Sequence, residues 1–344
     1  MHSAVKAQIP VRRARQVDRL GLAMRASHIL AALLLVGCLV FAMLAWRTGD
    51  VFYLRLATEA LIFAGLALSV DILLGYTGLL SLGQALYFGL GAYTSAVALR
   101  GGISFGATMM IVLALSLVAS LIGGFIVNRV RGVYFALITF GMAQVAAKVV
   151  YNTRELGASD GLIGVPVVPI SLGFTVILSD SAVGFFMFTL GFMAVLYLAV
   201  SYLLDTPFGR ILIALKANER RVPFLGYHPF TARLVAYVVA GVVAALAGAL
   251  YPMLRGFVSP ELLSFTTSGN AVITVVTGGA GTLVGALYGS LFLTALRSII
   301  GSWTAHHLIV IGILFMTIVV LFPKGIMGVA RGWLERMMLG RAPR

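Results

Sequence analysis

The sequence predicts an all-α, polytopic integral membrane bundle of about ten transmembrane helices, eight at the fewest, with both termini cytoplasmic. Three observations carry that expectation. The chain is 60% hydrophobic and 10% charged with a mean hydropathy of +1.04, whereas a soluble domain is about a quarter charged. Apolar runs of about 20 residues, the length that crosses roughly 30 Å of hydrocarbon, recur along the chain. Basic residues sort to one side of those runs.

The runs are 27–46, 54–74, 81–99, 105–127, 133–151, 182–204, 231–254, 269–276, 282–300 and 305–322. The first holds Leu35-Val36-Gly37-Cys38, which resembles a lipoprotein cleavage box. Its apolar residues continue past Cys38, unlike a cleaved signal, so a transmembrane helix is expected. One cysteine also excludes an intramolecular disulfide. The runs 54–74 and 81–99 flank a polar, glycine-rich break, and 105–127 is uninterrupted. The run 269–276 is too short to span without help. The last run opens on His306 and His307, which point about 100° apart on a helix and so cannot clamp one metal together. Beside Trp303 they read as interfacial anchors, and no metal site is expected.

Charge orients these runs. Lys6, Arg12, Arg13, Arg15, Arg19 and Arg25 precede the first. Arg129, Arg131, Arg210, Lys216, Arg220 and Arg221 fall in two internal connections, and Lys324, Arg331, Arg336, Arg341 and Arg344 follow the last. Ten spans put all of them on one face, the cytoplasmic one. Asp50, Glu155, Asp160, Asp180 and Glu261 fall on the other. The organisation expected is a basic extension (1–26), a transmembrane unit (27–323) and a basic tail (324–344), with an external loop at 152–182. The net charge of +14 is a topology signal and an attraction to anionic lipid, not a nucleic-acid footprint.

Four features are candidates for function. The polar loop 205–230 places apolar Phe208, Ile211, Leu212 and Leu215 at helical spacing among Arg210, Lys216, Asn218, Glu219, Arg220 and Arg221. That describes a short helix outside the lipid, either a solvated connector or a docking helix for a soluble partner. The segment Gly75-Tyr76-Thr77-Gly78-Leu79-Leu80-Ser81-Leu82-Gly83-Gln84 would break a membrane helix. Such backbone is tolerated inside protein or along a watery cavity, so Tyr76, Thr77, Gly78, Ser81, Gly83 and Gln84 are pathway candidates. A plain cytoplasmic turn fits equally well.

Glu59, Asp71, Lys148 and Arg297 fall in or near hydrocarbon, where a charge costs about 2.5–3.5 kcal/mol. Glu59 is spaced to pair with Arg55. Asp71, also a pathway candidate, is expected to be protonated, paired with Lys148 or Arg297, or lining a cavity. Gly281, Gly285 and Gly289 stand four apart, the spacing of a helix-packing face. No catalytic constellation or nucleotide-binding loop is legible: Gly278-Gly279-Ala280-Gly281-Thr282 lacks the lysine of a phosphate loop. If ATP drives the protein, another subunit must bind it.

Five ordered blocks between about residues 55 and 330 resemble one family. Residues 75–85 run on to Phe88-Gly89-Leu90-Gly91-Ala92-Tyr93. Next come Arg131-Gly132-Val133-Tyr134-Phe135-Ala136-Leu137-Ile138-Thr139 and Ser159-Asp160-Gly161-Leu162-Ile163-Gly164-Val165-Pro166. Thr206-Pro207-Phe208-Gly209-Arg210 extends through Asn218-Glu219-Arg220-Arg221 to Leu225-Gly226-Tyr227. The series closes on residues 278–285 and Phe322-Pro323-Lys324-Gly325-Ile326. Together these resemble LivM-type permeases, membrane subunits of branched-chain amino-acid ABC importers of the bacterial inner membrane.

The resemblance implies roles. Phe208, Gly209, Arg210, Asn218, Glu219, Arg220, Leu225 and Gly226 would form the coupling loop, seated in a groove of the ATPase subunit. Partners would be a second, LivH-type permease, two ABC ATPases and a periplasmic binding protein, with no cofactor on this chain. Three departures stand out. Asp71 occupies a position where asparagine is expected, Val222 and Pro223 threaten to end the docking helix early, and the basic N-terminal extension is long. Two other functions remain open: an ABC permease for urea or short amides, and a proton-coupled secondary carrier using Asp71.

Overall fold

The computed structural model of the chain describes residues 26–47, 49–167, 170–171, 176–177, 181–303 and 306–338. Nearly all of the basic extension, together with Asp180, Arg341 and Arg344, lies outside the described residues. The longer helices are α1 (Ala26–Arg47), α2 (Val51–Asp71), α3 (Gln84–Arg100), α4 (Phe105–Val127), α5 (Val133–Asn152) and α6 (Ala182–Asp205). They continue as α7 (Pro207–Asn218), α8 (Pro229–Gly248), the short α9 (Tyr251–Arg255), α10 (Phe265–Gly278), α11 (Val284–Trp303), α12 (His307–Leu321) and α13 (Gly325–Met338). Cys38 lies midway along unbroken α1.

The structure is that of an all-α polytopic membrane protein. Every expected apolar run falls on a helix. Among the described residues, eight helical segments are long and apolar enough to span. Helix α10, with 14 residues, rises about 21 Å, short of the roughly 30 Å of hydrocarbon. Helix α3, with 17, falls just short as well.

Helix α2 forms the centre, packed against α6, α8, α10 and α11. Its residues from Ala60 to Asp71 are buried almost without interruption. Small residues permit that density, because lipid supplies no hydrophobic drive between helices. Gly91 of α3 lies against the Ala245 backbone of α8, and Gly248 against the Phe88 backbone, so a methyl group at either would collide with main chain.

On the face opposite α7, the loop after α5 is pinned down. Strand β1 (Leu162–Ile163) pairs antiparallel with a distant strand (Phe257–Val258), and Gly164 and Val165 both donate to the Gly256 carbonyl at 3.0 Å. The family-like block 159–166 thereby becomes a strap across the bundle.

Three expectations are corrected. Glu59 pairs with Arg255 at 2.5 Å, while Arg55 faces outward. Lys148, one of the partners offered for Asp71, is exposed on α5 and lies 5.1 Å over the Tyr151 ring instead. Gly281 stands outside α11, in the turn before it, with φ at +83°, so only Gly285 and Gly289 of that trio lie on the helix. These two pack against Gly278 and Thr274 of α10.

Candidate functional site

Helix α7 begins after Thr206, whose extended backbone leads into Pro207 at the first helical position, where a missing N–H costs nothing. Its apolar face is seated on the bundle. Leu212 and Leu215 are buried, Phe208 and Ile211 partly so, and Gly209 lies against the Leu204 backbone. The helix ends at Asn218, four residues before Val222. Asn218 adopts extended backbone, and its side chain accepts from the Arg220 N–H at 3.1 Å. Two tight turns follow, Glu219–Arg221 and Pro223–Leu225, with Val222 buried between them. Pro223 thus opens the second turn, and Gly226, with φ at +82°, closes it.

The loop residues divide into two sets. Phe208, Gly209 and Glu219 are anchors; Arg210, Asn218, Arg220, Leu225 and Gly226 are exposed. Glu219 lies 3.1 Å from Arg131, in the turn between α4 and α5, and 3.2 Å from Arg233 of α8. Arg233 is buried, so Glu219 neutralises a guanidinium that would otherwise stand alone in low dielectric. Sequence reading missed this triad, although a lone arginine just inside an apolar helix signals a nearby acid. It also missed Phe224, which is 89% exposed at the tip of the loop.

The break after α2 is built differently from an open gap. Helix α2 widens into a π-turn, Ile72–Thr77. Asp71, fully buried, accepts from the Gly281 N–H at 2.6 Å and, through its other oxygen, from the Leu283 N–H at 2.9 Å. Gly279, Gly281 and Leu283 all have positive φ, which turns these donors toward one point just before α11. A helix N-terminus favours an anion there. Neither Lys148 nor Arg297 pairs with Asp71. One helical turn onward, the Gly75 carbonyl accepts from Lys216 Nζ at 2.7 Å, tying α7 to the same junction.

The remaining candidates follow the chain back into the bundle. Tyr76 lines a cavity of about 90 Å³ with Tyr197, Ser201, Asp205 and Arg331. Thr77 donates to the Leu73 carbonyl at 2.6 Å, and Gly78 turns at φ +74° beside Lys216. Ser81, Gly83 and Gln84 are buried. The Leu82 N–H donates to Thr139 Oγ1 at 3.2 Å, and the Ala85 N–H to Ser268 Oγ at 3.0 Å. Segment 76–84 is therefore a tied connection, clamped by α7 at one end and by α5 and α10 at the other.

A separate polar cavity of about 350 Å³ opens between α2, α10 and α11. Glu59, Asn270, Thr274, Ser290 and Arg297 contribute its polar wall, and Leu56, Phe63 and Leu293 its apolar one.

Fold and site together define a multi-pass membrane protein whose polar 205–230 loop is tied to its helical core by Glu219 and Lys216. The chain belongs to the family described as branched-chain amino acid transport system / permease component, whose profile matches residues 52–319. It is similar to the high-affinity branched-chain amino acid transport system permease protein LivM of Escherichia coli K12, 26% identical over 338 residues. That match covers 91% of this chain and 79% of the relative. The LivM protein of Salmonella typhimurium is 26% identical over 301 residues, 81% of this chain and 71% of the relative. More distantly, the autoinducer 2 import system permease protein LsrC of Yersinia pseudotuberculosis is 28% identical over 222 residues, 62% of this chain and 59% of the relative. No solved structure matches the chain.

Proposed function

We propose that this chain is a permease subunit of an ATP-driven importer and forms, with a second permease, a pathway for branched-chain and other hydrophobic amino acids. It spans the bacterial inner membrane about ten times with both termini cytoplasmic. Two ATPase subunits bind and hydrolyse ATP, and a periplasmic protein delivers substrate to the face carrying loop 152–182.

One observation carries this reading: the 205–230 loop has an apolar tip and an anchored base. Exposed Phe224, Leu225 and Tyr227 offer a partner contact area, while Glu219 and Lys216 transmit force into α8 and the α2 junction. A solvated connector needs neither. Movement of the loop by a nucleotide-driven partner would rock those helices as rigid bodies, exposing the pathway alternately to either side.

Retention of the neighbouring ATPase by detergent-solubilised chain, with the second permease co-expressed, tests the reading. Wild type retains it, and Glu219→Ala combined with Gly226→Pro loses it. Retention by the variant removes the coupling loop from the account. The carrier reading predicts transport by the chain alone, abolished by Asp71→Asn and indifferent to Glu219. Against it stands the use of both Asp71 oxygens as acceptors from backbone. An importer of urea or short amides shares every feature of the loop and differs only in the solute taken up.

A further inference from the structure

The cavity between α2, α10 and α11 has features that the coupling loop does not explain. Arg297 of α11 is half-buried in its wall, and the guanidinium Nε–H has no hydrogen-bond partner among the described residues. Nor does Arg297 enter an ion pair there; the acid on the same wall, Glu59, is held by Arg255. A guanidinium partly withdrawn from water and unpartnered is costly unless something anionic meets it. Its planar fork matches a carboxylate in two parallel hydrogen bonds.

The rest of the wall is rich in acceptors. Ser290 Oγ donates its proton to the Ala60 carbonyl at 2.6 Å, and Thr274 Oγ1 to that of Asn270 at 2.8 Å. Both hydroxyls therefore keep lone pairs for an incoming donor, and Glu59 adds a carboxylate. Phe63, stacked on Phe88 with centroids 5.5 Å apart, supplies a fixed apolar surface. Glu59 precedes Asp71 by 12 residues along α2, roughly 18 Å of rise, so the cavity lies toward the face opposite α7.

We propose that this cavity is an entry station for an α-amino acid in transit, with Arg297 taking the α-carboxylate, the oxygen acceptors the ammonium group and the apolar wall the side chain. The proposal rests on the amino-acid importer reading and adds to it a carboxylate-specific residue within the membrane. Urea and neutral amides would have no use for Arg297.

Two measurements on the complete assembly test it. With binding protein present, Arg297→Gln slows uptake of radiolabelled leucine about tenfold or more, the scale of one lost charge-assisted hydrogen bond, and Arg297→Lys restores part of the rate. Without binding protein, leucine outcompetes leucinamide at the wild-type permease by a similar factor, and Arg297→Gln removes that preference while still retaining the ATPase. A purely structural Arg297 would not change the preference. Uptake by Arg297→Gln at the wild-type rate, or equal binding of leucine and leucinamide by wild type, overturns the station but leaves the importer reading intact. Failure of wild type to take up leucine overturns both.

Discussion

The Asp71 carboxylate holds the backbone N–H of Gly281 at 2.6 Å across 210 residues of chain. Its second oxygen holds Leu283, so one side chain locks the turn between α10 and α11 to the end of α2. Gly75 completes the junction: a methyl group there would meet both Asp71 and Gly281. In this chain both N–H groups point at the same side chain, so an acceptor on each of its two branches satisfies them. Asp71→Asn replaces one acceptor by an amide donor facing a buried N–H, which costs about 1–3 kcal/mol. Thermal unfolding of the solubilised protein is expected to show that loss, with Asp71→Ala lower still. Equal stability of Asp71→Asn and wild type would remove the double-acceptor account.

The Glu219 ion pairs are unequal. Arg233 is almost fully buried, whereas the Arg131 side chain is 62% exposed. An exposed pair contributes at most about 1 kcal/mol. Breaking the buried one leaves a stranded charge, and Glu219→Ala is expected to cost about 3 kcal/mol. Arg131→Ala should lie close to wild type in thermal stability. If it proves as damaging as Glu219→Ala, the exposed arginine, not the buried one, is the partner that matters.

Much of the fold was legible because apolar runs and helix-breaking glycines are local signals. All ten runs became helices, and the shortness of α10 was readable from length alone. The site was less legible because its contacts are distant in sequence. The partners of Asp71 are backbone N–H groups, which no residue type advertises, and they point inward only because Gly279, Gly281 and Leu283 have positive φ. Helical spacing likewise suggested Arg55 as the partner of Glu59; the return of the chain through α9 brings Arg255 closer. Gly281 was misplaced on a packing face because a spacing of four is meaningful only if the helix has already begun.

Gly226 separates backbone strain from packing. It turns at φ +82°, yet no atom lies within 4 Å of where a side chain would start. Within this chain, the cost of a substitution there therefore comes from conformation and not from crowding. Gly226→Ala is expected to cost about 1–2 kcal/mol in the loop and to weaken retention of the ATPase. Gly226→Asn, whose side chain tolerates the left-handed region, should retain most of it. Equal defects in the two variants would point to a direct contact at this position instead.

Phe224 offers the cleanest separation of folding from docking. At 89% exposure it contributes almost nothing to the bundle, so Phe224→Ala should leave thermal stability within about 0.5 kcal/mol of wild type. An aromatic side chain this exposed beside Leu225 and Tyr227 has the chemistry of an interface anchor, whose truncation typically costs about 2 kcal/mol or more in binding. The expected outcome is a folded protein whose affinity for the ATPase falls roughly thirtyfold, read by titrating purified ATPase against the solubilised permease pair. Unchanged affinity would move the docking surface from the loop tip back toward the exposed side of α7, around Arg210 and Ile213.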